Sequence, residues 1–343
     1  MSGRDQRLWL TSLAAVGVSA FLAGRAAVRR MRHFDVKDRV VLITGGSRGL
    51  GLLMAREFCD RGAYVAICAR DATELERAKR MLGQERRCLW TGVCDVTKCE
   101  QVEQLVGSVR RDLGHIDVLV NNAGVIGVGP ASTMTLDDYE RAMATNFWAA
   151  LYATSAVLDP MLSRGEGRVV NITSIGGKVA VPHLLPYCAS KFAAVGWSNG
   201  LRAEVKHRGV YVTTIVPGLL RTGSPRNADF KGRHREEFAW FSIMDSLPLT
   251  SMSARRAASR IARACVNGEA EVTLSIQAKL ATTFAGLFPG TTAEIDALVN
   301  RALPGDRGGV GTRSVKGAGS RSEWAPSRLT ALGDAAAVEN NER

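Results

Sequence analysis

From Arg39 onward the chain alternates two kinds of segment. Short apolar, β-branched runs recur as "RVVLIT", "YVAIC", "RCLWTGVC", "DVLVNNAG", "RVVNITS", "VYVTTIVPG" and "EVTLS" (Glu271 to Ser275). Between them lie stretches of helical spacing. "TELERAKRML" is one, and "KCEQVEQLVGSVRRDL" is another, with Val102, Leu105, Val106 and Val109 on one face. Runs that are apolar on nearly every residue predict parallel strands covered on both faces. Residues 37–275 are therefore expected to form one α/β domain, a doubly wound, mostly parallel seven-stranded sheet with helices on both sides.

The pattern breaks at both ends. Leu8 to Gly24 carries no charge, and Arg25, Arg29, Arg30 and Arg32 follow it. Seventeen helical residues span about 25 Å, near the roughly 30 Å of a bilayer core once Arg25 snorkels. A cleaved signal peptide carries its charge ahead of the apolar stretch, and an amphipathic docking helix carries a polar face. The reading adopted is a membrane anchor over residues 1–33, with the domain on the cytoplasmic side because the basic flank follows the apolar stretch. Residues 276–303, with Ile276, Leu280, Phe284, Leu287 and Phe288, predict a helical extension, packed on the domain in preference to lying on a membrane or over the substrate mouth. Residues 304–343 are rich in glycine, serine and arginine, and read as a disordered tail.

Charge and cysteine content change this picture little. The net charge of +12 suggests a nucleic-acid partner. However, residues 1–33 hold six arginines against one aspartate, and no basic run interleaved with aromatics follows, so no nucleic-acid partner is expected. Seven cysteines show neither a CxxC pair nor a histidine cluster, which predicts buried free thiols and no metal site.

The chemistry lies at the ends of the predicted strands. "TGGSRGLG", Thr44 to Gly51, joins the first strand to the first helix. Gly45, Gly49 and Gly51 allow a tight turn and let a pyrophosphate approach the amides of the helix N-terminus, with Ser47, Arg48 and Leu50 between them. The second strand ends "ICARD", with Ala69 where an NAD site would place an acid, and with Arg70 beside it. Together with Arg48, Arg70 favours the 2′-phosphate of NADP(H) over NAD(H), for which Asp71 would have to take the ribose. In "LLPYCASKFAAVGWSNGLRAEV", Tyr187 and Lys191 share a helix face at i and i+4. Ser174 closes "NITS", and Asn121 to Gly124 close the fourth strand, at the same predicted sheet edge.

This order of motifs resembles the short-chain dehydrogenase/reductase family over about residues 37–275. The resemblance rests on Thr44-Gly45-x-x-x-Gly49-x-Gly51, Asp95, "NNAG", Asn146, Ser174, Tyr187, Lys191 and "PGLLRT" (Pro217 to Thr222). It implies a single Rossmann domain and an oxidoreductase interconverting a carbonyl and a secondary alcohol. Tyr187 would be the acid/base, Lys191 would lower its pKa and bond the nicotinamide ribose, and Ser174 would bind the carbonyl oxygen. Asn146 would hold a proton-relay water. Asp95 and Val96, Asn122, Ala123 and Gly124, and Pro217, Gly218 and Thr222 would complete the cofactor site. A homodimer or homotetramer is also implied. The insert 219–252, with Phe230, Phe238, Trp240, Phe241, Ile243, Met244 and Leu247, suits a lid over an apolar lipid, steroid-like or acyl substrate, or else a subunit interface or an ordinary core. The alternative function is a non-catalytic NADPH-binding sensor or scaffold.

Overall fold

The computed structural model describes residues 24, 30–83 and 88–342. All seven apolar runs become strands of one sheet: β1 (Val40–Thr44), β2 (Tyr64–Ala69), β3 (Leu89–Val93), β4 (Ile116–Asn121), β6 (Gly167–Ile172), β7 (Val210–Pro217) and β11 (Glu271–Leu274). Their order is β11-β7-β6-β4-β1-β2-β3, and every neighbouring pair is parallel. The chain winds outward from β1 in one direction and returns through β4 in the other. The crevice where ligands bind such sheets therefore opens beyond the C-terminal ends of β1 and β4.

Alternation along β1 explains the layers. Val41 and Ile43 pack with Leu52, Met54 and Phe58 of α1 (Gly49–Asp60) and Ile261 of α8 (Ala254–Val266). Val40 and Leu42 face the other way, toward Val102 and Val106 of α3 (Cys99–Leu113) and Val157 and Met161 of α5 (Ala149–Arg164). The remaining sheet helices are α2 (Ala72–Leu82), α4 (Leu136–Met143) and α6 (Leu185–Val205). At the opposite, N-terminal edge, the Arg168 guanidinium lies 4.7 Å from the Phe34 ring centroid and 4.4 Å from that of Tyr211. It also donates to the Arg32 carbonyl at 2.8 Å, which fixes the start of the domain far from the crevice. None of the seven cysteines, all among the described residues, forms a disulfide, and Cys88 Sγ lies 3.0 Å from Cys59 Sγ.

Two expectations fail here. Residues 304–342 are not a disordered tail: β12 (Val315–Lys316) pairs antiparallel with β9 (Asp229–Phe230), which pairs parallel with β5 (Gly127–Val128). The tail then forms α11 (Ala331–Glu339) against α7 (His234–Ser246) of the insert. Hydropathy missed this because backbone pairing and close contacts of small residues hold the segment. A methyl group on Gly333, for example, would lie 2.4 Å from Ser246 Oγ. The extension forms two helices, α9 (Ile276–Leu287) and α10 (Pro289–Asn300), but it does not bury its apolar face on the domain. Ile276, Leu280 and Leu287 remain about 70 % exposed, and only Ala278 of α9 is buried. Among the described residues no helix is long and apolar enough to cross a membrane. The expected anchor over residues 8–24 lies outside the described residues, Gly24 excepted.

Candidate active site

The glycine turn is built for close approach. A methyl on Gly51 would lie 2.2 Å from the Gly45 carbonyl oxygen, and one on Gly45 would lie 2.9 Å from Ala123 Cα. Gly45 and Gly49 both hold the left-handed backbone that glycine allows, φ 64° and 56°. Asn122 clasps the turn by donating to the carbonyls of Thr44 and Gly45 at 3.1 and 2.9 Å. Thr44 Oγ1 accepts the amides of Asn122 and Ala123. Helix α1 begins at Gly49 without a side-chain cap. First-turn amides with no side-chain cap, above a cradle that only glycine can line, suit the pyrophosphate of a dinucleotide.

At the adenosine end, Arg70 is exposed, and Asp71 is committed elsewhere. Its carboxylate caps α2, accepting the amides of Thr73 and Glu74 at 2.7 and 3.1 Å, and those bonds hold its pKa low. Arg48 is not free either. It bonds Glu74 Oε1 at 2.7 Å and Asn227 Oδ1 at 3.2 Å, while Ser47 Oγ donates to Glu74 Oε2 at 2.9 Å. Glu74 had no signal in the sequence, since it reads as an ordinary first-turn acid of α2. Asp95, in the loop after β3, accepts from Thr97 Oγ1 at 2.8 Å, and Val96 beside it is buried. Pro217 ends β7, Gly218 packs against Ala278, and Thr222 is buried near Gly49.

The acid/base group sits where β6 meets α6. Ser174 leaves the sheet in extended conformation and its hydroxyl accepts the Gly176 amide at 3.0 Å. Tyr187, in the first turn of α6, faces the Ser174 side chain, which favours its ionised form. Lys191 follows one turn later and is buried. Its Nζ donates to the Ile172 carbonyl at 3.0 Å and lies 5.7 Å from the Tyr187 ring centroid. Burial dominates both groups: it pushes the phenol up to about 12 and the ammonium down to about 8. The expected lowering of the Tyr187 pKa by Lys191 is thus absent in this structure. Desolvation outweighs the effect of Ser174, and the two side chains touch only as ammonium over ring.

Asn146 is held on the neighbouring helix. It lies in a π-helical segment, Ala144–Trp148, between α4 and α5. Its Oδ1 accepts the Val125 amide at 2.9 Å, and its Nδ2 donates to the Val125 carbonyl at 3.1 Å and Ser190 Oγ at 2.9 Å. With both N–H groups taken, the side chain positions the exit of β4. The insert aromatics form a core of their own: Phe230, Phe238 and Phe241 are buried with Leu184 and Cys188, and Tyr187 packs against them. Glu237, fully buried on α7, accepts from Trp240 Nε1 at 2.7 Å and meets His183 Nδ1 at 2.8 Å. This bolts the insert to the loop ahead of Tyr187.

These features have known counterparts. The family model described as short chain dehydrogenase matches residues 39–230. A dehydrogenase/reductase SDR family protein 7-like of Anopheles gambiae is 36 % identical over 72 % of this chain and 77 % of its own length. Dehydrogenase/reductase SDR family member 7B of Danio rerio is 34 % identical over 63 % and 72 %. Among solved structures, actinorhodin polyketide ketoreductase with NADPH aligns with a TM-score of 0.61 and 29 % identity, covering 69 % of this chain and 95 % of that one. A glycine cradle at β1, a Ser-Tyr-Lys set at β6 and α6, and a family match over more than half the residues agree on one assignment: the chain belongs to the short-chain dehydrogenase/reductase family of oxidoreductases.

Proposed function

We propose that this protein is an NADP(H)-dependent reductase of apolar ketones, working reversibly on the matching secondary alcohols. The observation that carries the reading is Tyr187 set beside Ser174, with a buried Lys191 one helical turn behind it and the glycine cradle close by. A phenol held protonated at neutral pH is set to donate, so Tyr187 serves as general acid to a carbonyl oxygen. Ser174 bonds the same oxygen and stabilises the charge that develops there. A bound nicotinamide dinucleotide supplies the hydride. Lys191 orients the ribose and holds its positive charge beside Tyr187 while the phenol gives its proton to the carbonyl oxygen or takes it back.

Two features support NADP(H). Asp71 is spent on its helix cap, and Arg48 and Arg70 are the cations at the ribose end. Glu74, now paired with Arg48, opposes a 2′-phosphate until that pair opens. An apolar substrate is supported by the aromatic core that packs against Tyr187. We further propose that residues 8–24 tether the domain to a membrane from its cytoplasmic side and that the protein works as a homodimer or homotetramer. The test is NADPH oxidation by the purified chain across a panel of polar and apolar ketones. Turnover restricted to sugars, or none with any ketone, overturns the reading; the second result leaves a non-catalytic NADPH-binding protein. Release of the full chain from membranes by salt alone overturns the tether.

A further inference from the structure

The last described residues of the chain follow the track a dinucleotide would need. Asn340 Nδ2 donates to the Thr222 carbonyl at 3.1 Å, while its own carbonyl accepts the Gly49 amide at 2.8 Å. Asn341 Nδ2 donates to the Ser47 carbonyl at 2.8 Å and the Glu74 carbonyl at 3.2 Å, and Arg77 Nε donates to Asn341 Oδ1 at 2.9 Å. The Glu342 carboxylate accepts from Asn227 Nδ2 at 2.6 Å and lies 3.4 Å from Arg48 Nε. All three residues are buried, none more than 4 % exposed. Their contacts run from Thr222, past the first amide of α1, to the residues at the ribose end. A carbonyl oxygen on the Gly49 amide and a carboxylate against Arg48 stand where phosphate oxygens would find their partners.

The tail reaches this point on a fixed course. Lys316 Nζ pairs with Asp229 at 2.9 Å, Arg226 with Asp334 at 3.2 Å, and α11 lies so close to Gly223 that a methyl there would meet Ala337 Cβ at 2.4 Å. We propose that Asn340 to Glu342 form an intramolecular occupant of the dinucleotide cradle, which the cofactor must displace before it binds. This rests on the dinucleotide reading of the cradle. One group of the occupant opposes its own burial. Burial pushes Glu342 up to about 7 and the neighbouring Asp245 up to about 8, and Asp245 Oδ2 has no hydrogen-bond partner among the described residues. Bringing a second carboxyl beside a buried one opposes closure, as suits a segment that must leave.

If the tail is seated nine-tenths of the time, the apparent NADPH dissociation constant is raised about tenfold. The experiment compares the full chain with its N341A/E342A double variant, which keeps β12 and α11. NADPH binding is followed by fluorescence titration, and amide hydrogen exchange over residues 331–342 is measured with and without saturating NADPH. The expected result is at least fivefold tighter binding by the variant, and faster exchange of those amides in the unmodified chain when NADPH is bound. Equal or weaker binding by the variant overturns the proposal. So does tighter binding with unchanged or slowed exchange, which would mean that Glu342 merely repels phosphate from a tail that stays in place. If neither folded protein binds NADPH or NADH, the cradle is not a dinucleotide site and the proposal falls with that reading.

Discussion

Replacing Lys191 by methionine should make the protein more stable and leave it inactive. The side chain is 4 % exposed, and burial lowers its pKa from 10.5 to about 8. At about 1.36 kcal/mol per unit, holding the charged form in the fold costs about 3 kcal/mol. Methionine keeps the length without the charge, but it leaves the Ile172 carbonyl without its 3.0 Å donor, a loss of about 1 kcal/mol. The variant should therefore gain about 2 kcal/mol near neutral pH. The pH dependence has a definite sign. Below about 8 the folded and unfolded states both carry the proton, so the full penalty stands in the unmodified protein. Between about 8 and 10.5 the folded state releases it first, so the stability of the unmodified protein rises with pH. The gap should close by about 2 kcal/mol between about pH 7 and pH 9.5. Urea unfolding of both cofactor-free proteins at the two pH values measures this. A variant less stable at neutral pH, or a gap that ignores pH, would refute the argument that Lys191 is held charged against its surroundings.

Three further outcomes are expected. Tyr187→Phe should abolish NADPH oxidation while leaving NADPH affinity within about twofold, since the ring remains and only the acidic hydroxyl is lost; near-normal turnover would remove Tyr187 from the chemistry. Arg70→Asp should move the ratio of kcat/KM values from NADPH toward NADH by about tenfold, or about 1.4 kcal/mol, in steady-state assays. Glu237→Ala should destabilise the fold by about 3 kcal/mol, because His183 and Trp240 lose a buried acceptor; unchanged thermal unfolding would show that the insert is not pinned there.

The sheet was legible because its inner strands are buried on both faces, so "VVLIT" or "VYVTTIVP" announces itself without reference to any partner. The cradle and the Ser174, Tyr187 and Lys191 set were legible because their spacing is local to single strand-to-helix turns. Glu74 and the tail were not. Glu74 matters only once α2 brings it to Ser47 and Arg48, and Asn341 matters only across a separation of almost three hundred residues. The apolar positions of α9 were read correctly as a face but wrongly as a packed one, since periodicity reports which residues align and not what covers them. Asn146 was found by resemblance, yet its engagement with Val125 and Ser190 depends on a π-helical turn that no pattern of the sequence announces.

The strand order also bears on how the chain is made. Strands β1, β2, β3 and β4 can pair as soon as Asn121 has left the ribosome, but β4 then forms one edge of that partial sheet. Its proper neighbour β6 begins only at Gly167, a delay of a few seconds at ~5–20 residues per second. During that interval the edge "IDVLVN" is apolar and open to strand pairing with other nascent chains. Substitutions that weaken β6, such as a charge at Val169 or Val170, should therefore reduce soluble yield during synthesis by more than they lower the stability of the chains that do mature.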